Sequence, residues 1–430
     1  MEENSQINLT ENQKAVNYLS SSKKLKKREK RKNKNLFNKV SLFINNKIKK
    51  PEISSNNNND NKPIKKERNP GIDIVRLLTQ YNIVLYHFMT QGGVYKYFYR
   101  HERILRLIES FIDWHNNAFL LISGIVGYKT NKYSNLLYLW LMVVFYSVGI
   151  HKYVLTYKKE FKVDQDVDKL HFPLVFDLYW YFTQYFGMYL FLPVINNGIA
   201  QLSKYELRLV VMSTLGIFVL WKDYKNKGPD IFHLNGGKSI LWFLTFYLTG
   251  AYIGKYRVDY SGFKRYFYCL IIAAIFIITS YLYFKIHIRE LYFLIWNKRI
   301  EIPIIIVQMF SESLNSVLKI IQSITVCLFF MQIHYNKYIA KIICFFGPLA
   351  FSIFLIYSNR ILLVNVIWKI CDNQPRDLSL KSLLNLLLMK TLKVCITSLI
   401  IDYFRHLLFT LLRIKKILFF IETKMKEKFS

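Results

Sequence analysis

The stretch "GIDIVRLLTQYNIVLYHF", residues 71–88, decides the fold. Leu, Ile, Val, Phe and Tyr fill most of it, over a length able to enter about 30 Å of hydrocarbon. Yet Asp73, Arg76 and His87 lie inside it. An ionisable residue at the centre of a bilayer costs about 3 kcal/mol or more, so such residues usually face a protein interior or a watery cavity. On a straight helix Arg76 and His87, eleven positions apart, share a face and stand about 16 Å apart along the axis. Asp73, three residues before Arg76, and Gln80, four after it, fall on the same stripe, and Asp73 can pair with Arg76. Asp73 and Arg76 also admit a bland reading, in which both snorkel from the helix entrance to the headgroups. His87, roughly 24 Å in, is too deep for that. A lone imidazole there can be a packing residue; the three as one stripe favour a buried polar site.

The rest of the chain follows the same division. It has 430 residues, 52% of them hydrophobic and 17% aromatic, and still carries a formal charge of +32. Charge and apolarity are segregated. Residues 1–69 hold 18 Lys or Arg and an Asn tract at 56–59, with almost no apolar periodicity, and read as a disordered basic cytoplasmic tail. Residues 70–404 hold ten apolar runs, drawn at about 72–91, 110–128, 134–155, 174–196, 206–221, 239–256, 264–284, 314–334, 342–367 and 382–403. Residues 405–430 form a second basic tail. The fold class expected is an all-α, multi-pass membrane protein of about ten helices. Between Ile288 and Phe310 the pieces "LYFLIW" and "IPIIIVQMF" are each too short to cross, and that segment reads as interfacial or re-entrant.

An even number of spans places both termini on one side, and their basic character favours the cytoplasm, with the cell membrane as the expected location. The expected outer segment 92–109 is also basic, with Lys96, Arg100, Arg103 and Arg106, so the tails carry the assignment. The opening "MEENSQINLTENQKAV" lacks the pattern of a secretory signal, and the first helix is expected to direct insertion itself. Basic tails also adhere to anionic membrane lipids. No aromatic-interleaved module accompanies the charge, so nucleic acid is not an expected partner. The five cysteines (Cys269, Cys327, Cys344, Cys371 and Cys395) form no Cys-x-x-Cys pair and suggest neither a disulfide framework nor a metal site.

More polar groups enter with the second run, "SFIDWHNNAFLLISGIVGY". Asp113, His115, Asn116 and Asn117 precede an apolar stretch that contains Ser123 and Gly124. If the first two spans are antiparallel, His115 and Asn117 can converge on His87; their bland reading is an ordinary polar helix entrance.

Together these residues resemble the acyltransferase-3 family of integral-membrane O-acyltransferases. The resemblance is carried by Arg76 and His87, then "NNAFLLISGIVGY", "LYWYFTQYFGMYLFLPVIN" (178–196), "SILWFLTFYLTGAYIGKY" (239–256), "GPLAFSIFLIYSN" (347–359) and "SLIIDYFRHLLFTLLRIKK" (398–416), in the family's order. It implies transfer of an acyl group, usually acetyl, from acyl-CoA as a donor substrate to a hydroxyl of a surface glycan or glycolipid acceptor, with no permanently bound cofactor. It also implies Arg76 and His87 as the essential pair. Asp73, His115, Asn117, Ser123, Tyr357 and Asn359 are expected to support the site. Where many members end "TFGVYLIH", this chain has "AFSIFLIY", with Tyr357 in place of a second imidazole, followed by Ser358 and Asn359. That departure reads as altered handling of acceptor or donor, with a catalytically inactive relative as the alternative.

The implied reaction suits these residues. A hydroxyl attacking a thioester must lose its proton, and a neutral imidazole can accept it near pH 7; alternatively His87 can carry the acyl group itself. A guanidinium binds phosphate through two parallel bonds, which suits Arg76 to the donor. The 16 Å between them is of the order of a pantetheine arm. From another class, a transporter or flippase also needs intramembrane charges, but repeat symmetry and broken helices are not evident here. A scaffold with a lipid-binding tail is the third reading. No Gly-x-Ser-x-Gly elbow is present, so any transfer falls to the membrane domain or to a separate partner.

Overall fold

Asn69 starts the helix that organises the molecule. Its side chain accepts from the Gly71 amide, Pro70 occupies the first turn, and Asp73 places a carboxylate near the positive end of the helix. The same Asn69 amide donates to the Met331 carbonyl at 3.0 Å, which pins the entrance of this helix to a distant one. At the other end, the carbonyl of His87 accepts from both the Gln91 and Gly92 amides at 2.9 Å, and Gly93 takes a left-handed φ of 71° that few other residues adopt cheaply.

The computed structural model describes residues 68–158, 172–221, 230–296 and 313–429. The basic tail up to residue 67 and residues 297–310 of the segment expected to be re-entrant lie outside them. All regular structure among the described residues is helical. The principal helices are α1 (Pro70–Thr90), α2 (Glu102–Ile112), α3 (His115–Gly127), α4 (Tyr133–Tyr157), α5 (Trp180–Gln201), α6 (Lys204–Leu215), α7 (Ile240–Tyr256), α8 (Gly262–Trp296), α9 (Val317–Gln332), α10 (Lys337–Phe346), α11 (Ala350–Tyr357), α12 (Leu380–Leu411) and α13 (Ile414–Phe429).

Each of the ten apolar runs falls on a helix or on a broken pair of helices. Among the described residues four stretches are long and apolar enough to cross a membrane: Tyr133–Tyr157, Gly262–Ile288, Lys337–Tyr357 and Leu380–Leu411. The molecule is an all-α membrane protein, while the count of ten spans is a reading of the sequence. The difference has a physical cause. Helix α3 has only 13 residues, and Gln80, Asn82 and His87 dilute the apolarity of α1.

Two boundaries differ from the sequence reading. The run at 110–128 is split at Asp113 and Trp114 into α2 and α3, because side chains satisfy the carbonyls that end α2. Trp114 Nε1 donates to Phe111 at 2.8 Å and His115 Nδ1 donates to Ile112 at 2.9 Å. The run at 342–367 is broken by a tight turn at Gly347–Leu349, and it leaves the α-helical path again at Leu363–Ile367.

Helix α1 is the hub, packed against α3, α9, α10, α11 and α12. Close approach is built from glycine. A Cβ at Gly250 of α7 would lie 2.1 Å from the Leu121 carbonyl of α3, and one at Gly124 of α3 would lie 2.1 Å from the Tyr247 carbonyl of α7. Small residues let such backbones touch where lipid supplies no hydrophobic drive. Gly250→Leu is therefore expected to destabilise the folded protein by about 1–3 kcal/mol, as overpacking does. Gly198→Leu, at a position with nothing within 4 Å, is expected to be near neutral. Thermal unfolding midpoints of the two variants in detergent make the comparison. At the far end of the chain, Glu422 of α13 accepts from the Tyr133 and Ser134 amides at 3.2 and 2.9 Å and so caps α4.

Candidate active site

Two guanidinium forks meet on one carboxylate at the entrance of α1. Arg68 grips Asp73 with Nε to Oδ2 at 2.6 Å and Nη2 to Oδ1 at 2.7 Å, and Arg76 Nη1 donates to Oδ1 at 2.7 Å. Asp73 is fully buried. It fits because Gly347 stands against it: a Cβ there would lie 2.4 Å from Asp73 Oδ1. The break between α10 and α11 thus makes room for the carboxylate. Arg76 keeps 21% and Arg68 48% of its side-chain surface accessible. Two positive charges against one negative leave this corner positive, and the described bond of Arg76 uses Nη1, so Nε and Nη2 remain for another acceptor. Tyr185 of α5 lies beside both Arg76 and Ser123.

Three turns further on, His87 is half-buried. Its ring meets the ring of Tyr357 edge-on at 5.4 Å between centroids and lies 6.0 Å from that of Tyr86. Tyr86 in turn lies 5.4 Å from His115. His87 Nδ1 and the Tyr357 hydroxyl are both buried without a hydrogen-bond partner among the described residues, as are the Tyr181 hydroxyl and Gln80 Oε1. Buried polar atoms nearly always find partners, so the unpartnered His87 Nδ1 and Tyr357 hydroxyl, on rings that touch, mark a place built for something polar to arrive. The site therefore has a positive entrance at Arg76 and an imidazole–phenol pair about 16 Å deeper on the same face.

The predicted supporting residues divide by what their polar atoms do. Tyr357 packs on His87, so the phenol takes a place beside the single imidazole. His115 is fully buried beside Tyr86, with Nδ1 committed to ending α2; that bond fixes its tautomer and leaves Nε2 as an acceptor. Asn117 is a fastener. Its amide donates to the Leu314 carbonyl at 2.5 Å and accepts from Trp242 Nε1 at 3.2 Å, joining α3 to α7 and to the start of α9. Ser123 donates to the Phe119 carbonyl at 3.0 Å, and Asn359 caps the turn after α11 through the Ile361 amide at 3.1 Å while donating to the Tyr179 hydroxyl at 3.3 Å. Asn359 thereby holds the end of the helix that presents Tyr357.

The sequence does not assign the other polar groups to the site. Arg68 lies just before the helix, where no periodicity marks it. Lys319 pairs with Asp113 at 2.6 Å with both side chains buried, and Arg106 pairs with Glu109 at 2.9 Å. A lysine inside the apolar run 314–334 is visible to the rule that flags Asp73 and Arg76, and that was the available signal.

A model described as an acyltransferase domain, that of the acyltransferase-3 family, matches residues 69–402, which span both ends of α1 and every group of the site except Arg68. No curated protein and no solved structure matches the chain.

Proposed function

The chain belongs to the acyltransferase-3 family, and from that premise we propose that it moves an acyl group, acetyl in the simplest case, from acyl-CoA to a hydroxyl of a surface glycan or glycolipid. That it is a membrane acyltransferase follows from the family. The donor, the acceptor and the residue roles are our reading. The observation that carries it is the placement on one helix face of an accessible guanidinium and, three turns deeper, a half-buried imidazole.

In this reading the positive corner at Arg68 and Arg76 holds a phosphate of the donor, where guanidinium forks and the positive end of α1 act together. Asp73 orients both forks and takes no part in the chemistry. The pantetheine arm runs along α1 towards His87. There the imidazole removes the proton of the acceptor hydroxyl as its oxygen attacks the thioester carbonyl. The carbon–sulfur bond breaks, the sulfur leaves as thiolate, and the imidazolium returns the proton to it. In this reading the Tyr357 hydroxyl, on the ring that packs against His87, donates to the carbonyl oxygen as negative charge develops there. Both termini are cytoplasmic, and the protein resides in the cell membrane.

Transfer from radiolabelled acetyl-CoA in membranes containing the protein tests this, with Arg76→Lys as the informative variant. An ammonium replaces a planar fork by a point charge, so the apparent KM for the donor is expected to rise about tenfold, a loss of about 1.4 kcal/mol. The acceptor KM stays where it was. An unchanged donor KM would leave Arg76 with a structural role only.

A further inference from the structure

Resting on the reading of His87 as the acylation centre, we propose that a chamber beside it is the acceptor subsite, and that it takes a neutral, hydroxyl-rich sugar ring. The chamber has a volume of ≈ 350 Å³ and lies between the end of α1, α2, α8 and α9. That size falls within the usual range for small-molecule sites. Tyr86 and Thr90 of α1 contribute to its lining. The Tyr86 ring lies 6.0 Å from that of His87, so the chamber adjoins the acylation centre across a single side chain.

The charge pattern selects the class of ligand. Two cations and two carboxylates line the chamber and are already matched, Lys319 with Asp113 at 2.6 Å and Arg106 with Glu109 at 2.9 Å. No net charge remains to draw in a phosphate or a carboxylate, in contrast to the corner at Arg68 and Arg76. What remains is fixed hydrogen-bonding capacity. The described contacts of Asp113, from Lys319 and from the Tyr283 hydroxyl at 2.8 Å, both fall on Oδ2. Those of Glu109, from Arg106, from the Tyr95 hydroxyl at 2.9 Å and from His287, all fall on Oε2. Asp113 Oδ1 and Glu109 Oε1 are thus oriented acceptors for hydroxyl donors, and Arg106 Nε is a buried donor without a partner among the described residues. Carboxylates locked by paired cations, framed by the rings of Tyr86, Tyr95 and Tyr283, suit the alternating hydroxyl and C–H faces of a sugar.

The test uses the full-length protein in lipid nanodiscs without donor, titrated with methyl α-D-glucopyranoside, methyl α-D-mannopyranoside and methyl β-D-galactopyranoside, each read as a shift in thermal unfolding midpoint. The methyl glycoside of glucuronic acid and inorganic phosphate serve as anionic probes. At least one neutral glycoside is expected to raise the midpoint saturably, and the anionic probes are not. Tyr283→Phe, which removes one hydroxyl from the Asp113 cluster, is expected to weaken that binding about tenfold, as loss of a hydrogen bond to a charged group does. Thr90→Leu, which fills the chamber from the end of α1, is expected to abolish it. His87→Ala is expected to retain the midpoint shift while losing acyl transfer from acetyl-CoA. Stabilisation by the glucuronide or by phosphate in place of the neutral glycosides would overturn the proposal. So would no saturable shift with any of the three, or a shift that survives Thr90→Leu. Acyl transfer persisting in His87→Ala would overturn the acylation centre, and with it the acceptor role of a chamber whose sugar binding is read separately.

Discussion

His87→Ala is expected to reduce acyl transfer by about 10²–10⁴-fold, the range supplied by a positioned general base, and so to bring it near background. The prediction is sharp because the position packed on His87, where the family often has a second imidazole, holds a phenol. Tyr357 fills that place, and a phenol cannot take over the base role near neutral pH. It is also clean. The His87 ring makes no described hydrogen bond, and the bonds that end α1 use its backbone carbonyl, which alanine keeps. Alanine is also a better helix former than histidine. Protein abundance and the thermal midpoint are therefore expected to stay close to wild type, which separates lost chemistry from lost fold. Transfer is read from radiolabelled acetyl-CoA into acceptor-containing membranes, normalised to the amount of inserted protein. Wild-type rates in a well-inserted variant would end the assignment of His87.

How much of this was legible in the sequence depends on where the partner of each residue lies. Asp73, Arg76 and His87 share one helix, so 3.6-residue periodicity alone places them on a common face, and the Asp73–Arg76 bond follows from three-residue spacing. Gly124 and Gly250 lie 126 positions apart, and their meaning appears only when the helix backbones are seen to touch. The same holds for Gly347, whose missing Cβ makes room for Asp73. Polarity could not tell a site group from a fastener. His115 and Asn117 look alike in the sequence, yet Asn117 spends both ends of its amide on holding α3 in place, and His115 keeps one nitrogen uncommitted. Asp113 was visible as a charge near an apolar run, but its partner Lys319 is 206 positions away. The hydropathy of α9 absorbs one lysine without losing its apolar character. The terminal stretch after residue 405 read as a tail because its lysines mask the apolar side of α13, which the capping of α4 by Glu422 fixes in place.

Orientation carries the mechanism, and here the expected effect is all or none. In the proposed orientation the basic tail holds the start of α1 in the cytoplasm, where coenzyme A thioesters are made, and eleven residues then carry the chain about 16 Å outward from Arg76 to His87. The basic segment that follows His87 weighs against this on charge counting alone. The structure reduces that weight: Arg106 is matched by Glu102 at 3.4 Å and Glu109 at 2.9 Å, and it lies over the Tyr95 ring at 4.0 Å. The structure also selects where to probe. Gly92 and Gly93 adjoin the end of α1, but a side chain at Gly92 would press on the Phe88 carbonyl and Ile370, and Gly93 holds a left-handed φ. Tyr99 is 65% exposed and Met425 of α13 is 56% exposed, so both accept a probe. In a Cys371→Ser background, which removes the native thiol bonded to the Gly92 carbonyl, Tyr99→Cys is expected to react with an impermeant maleimide in intact cells. Met425→Cys is expected to react only after permeabilisation, and the N-terminal tail to be cut by added protease only in inside-out vesicles. The reverse pattern would put the Arg68–Arg76 corner on the outer face, out of reach of cytoplasmic acyl-CoA. His87 would then lie on the donor side of the membrane, and the route proposed along α1 would run the wrong way.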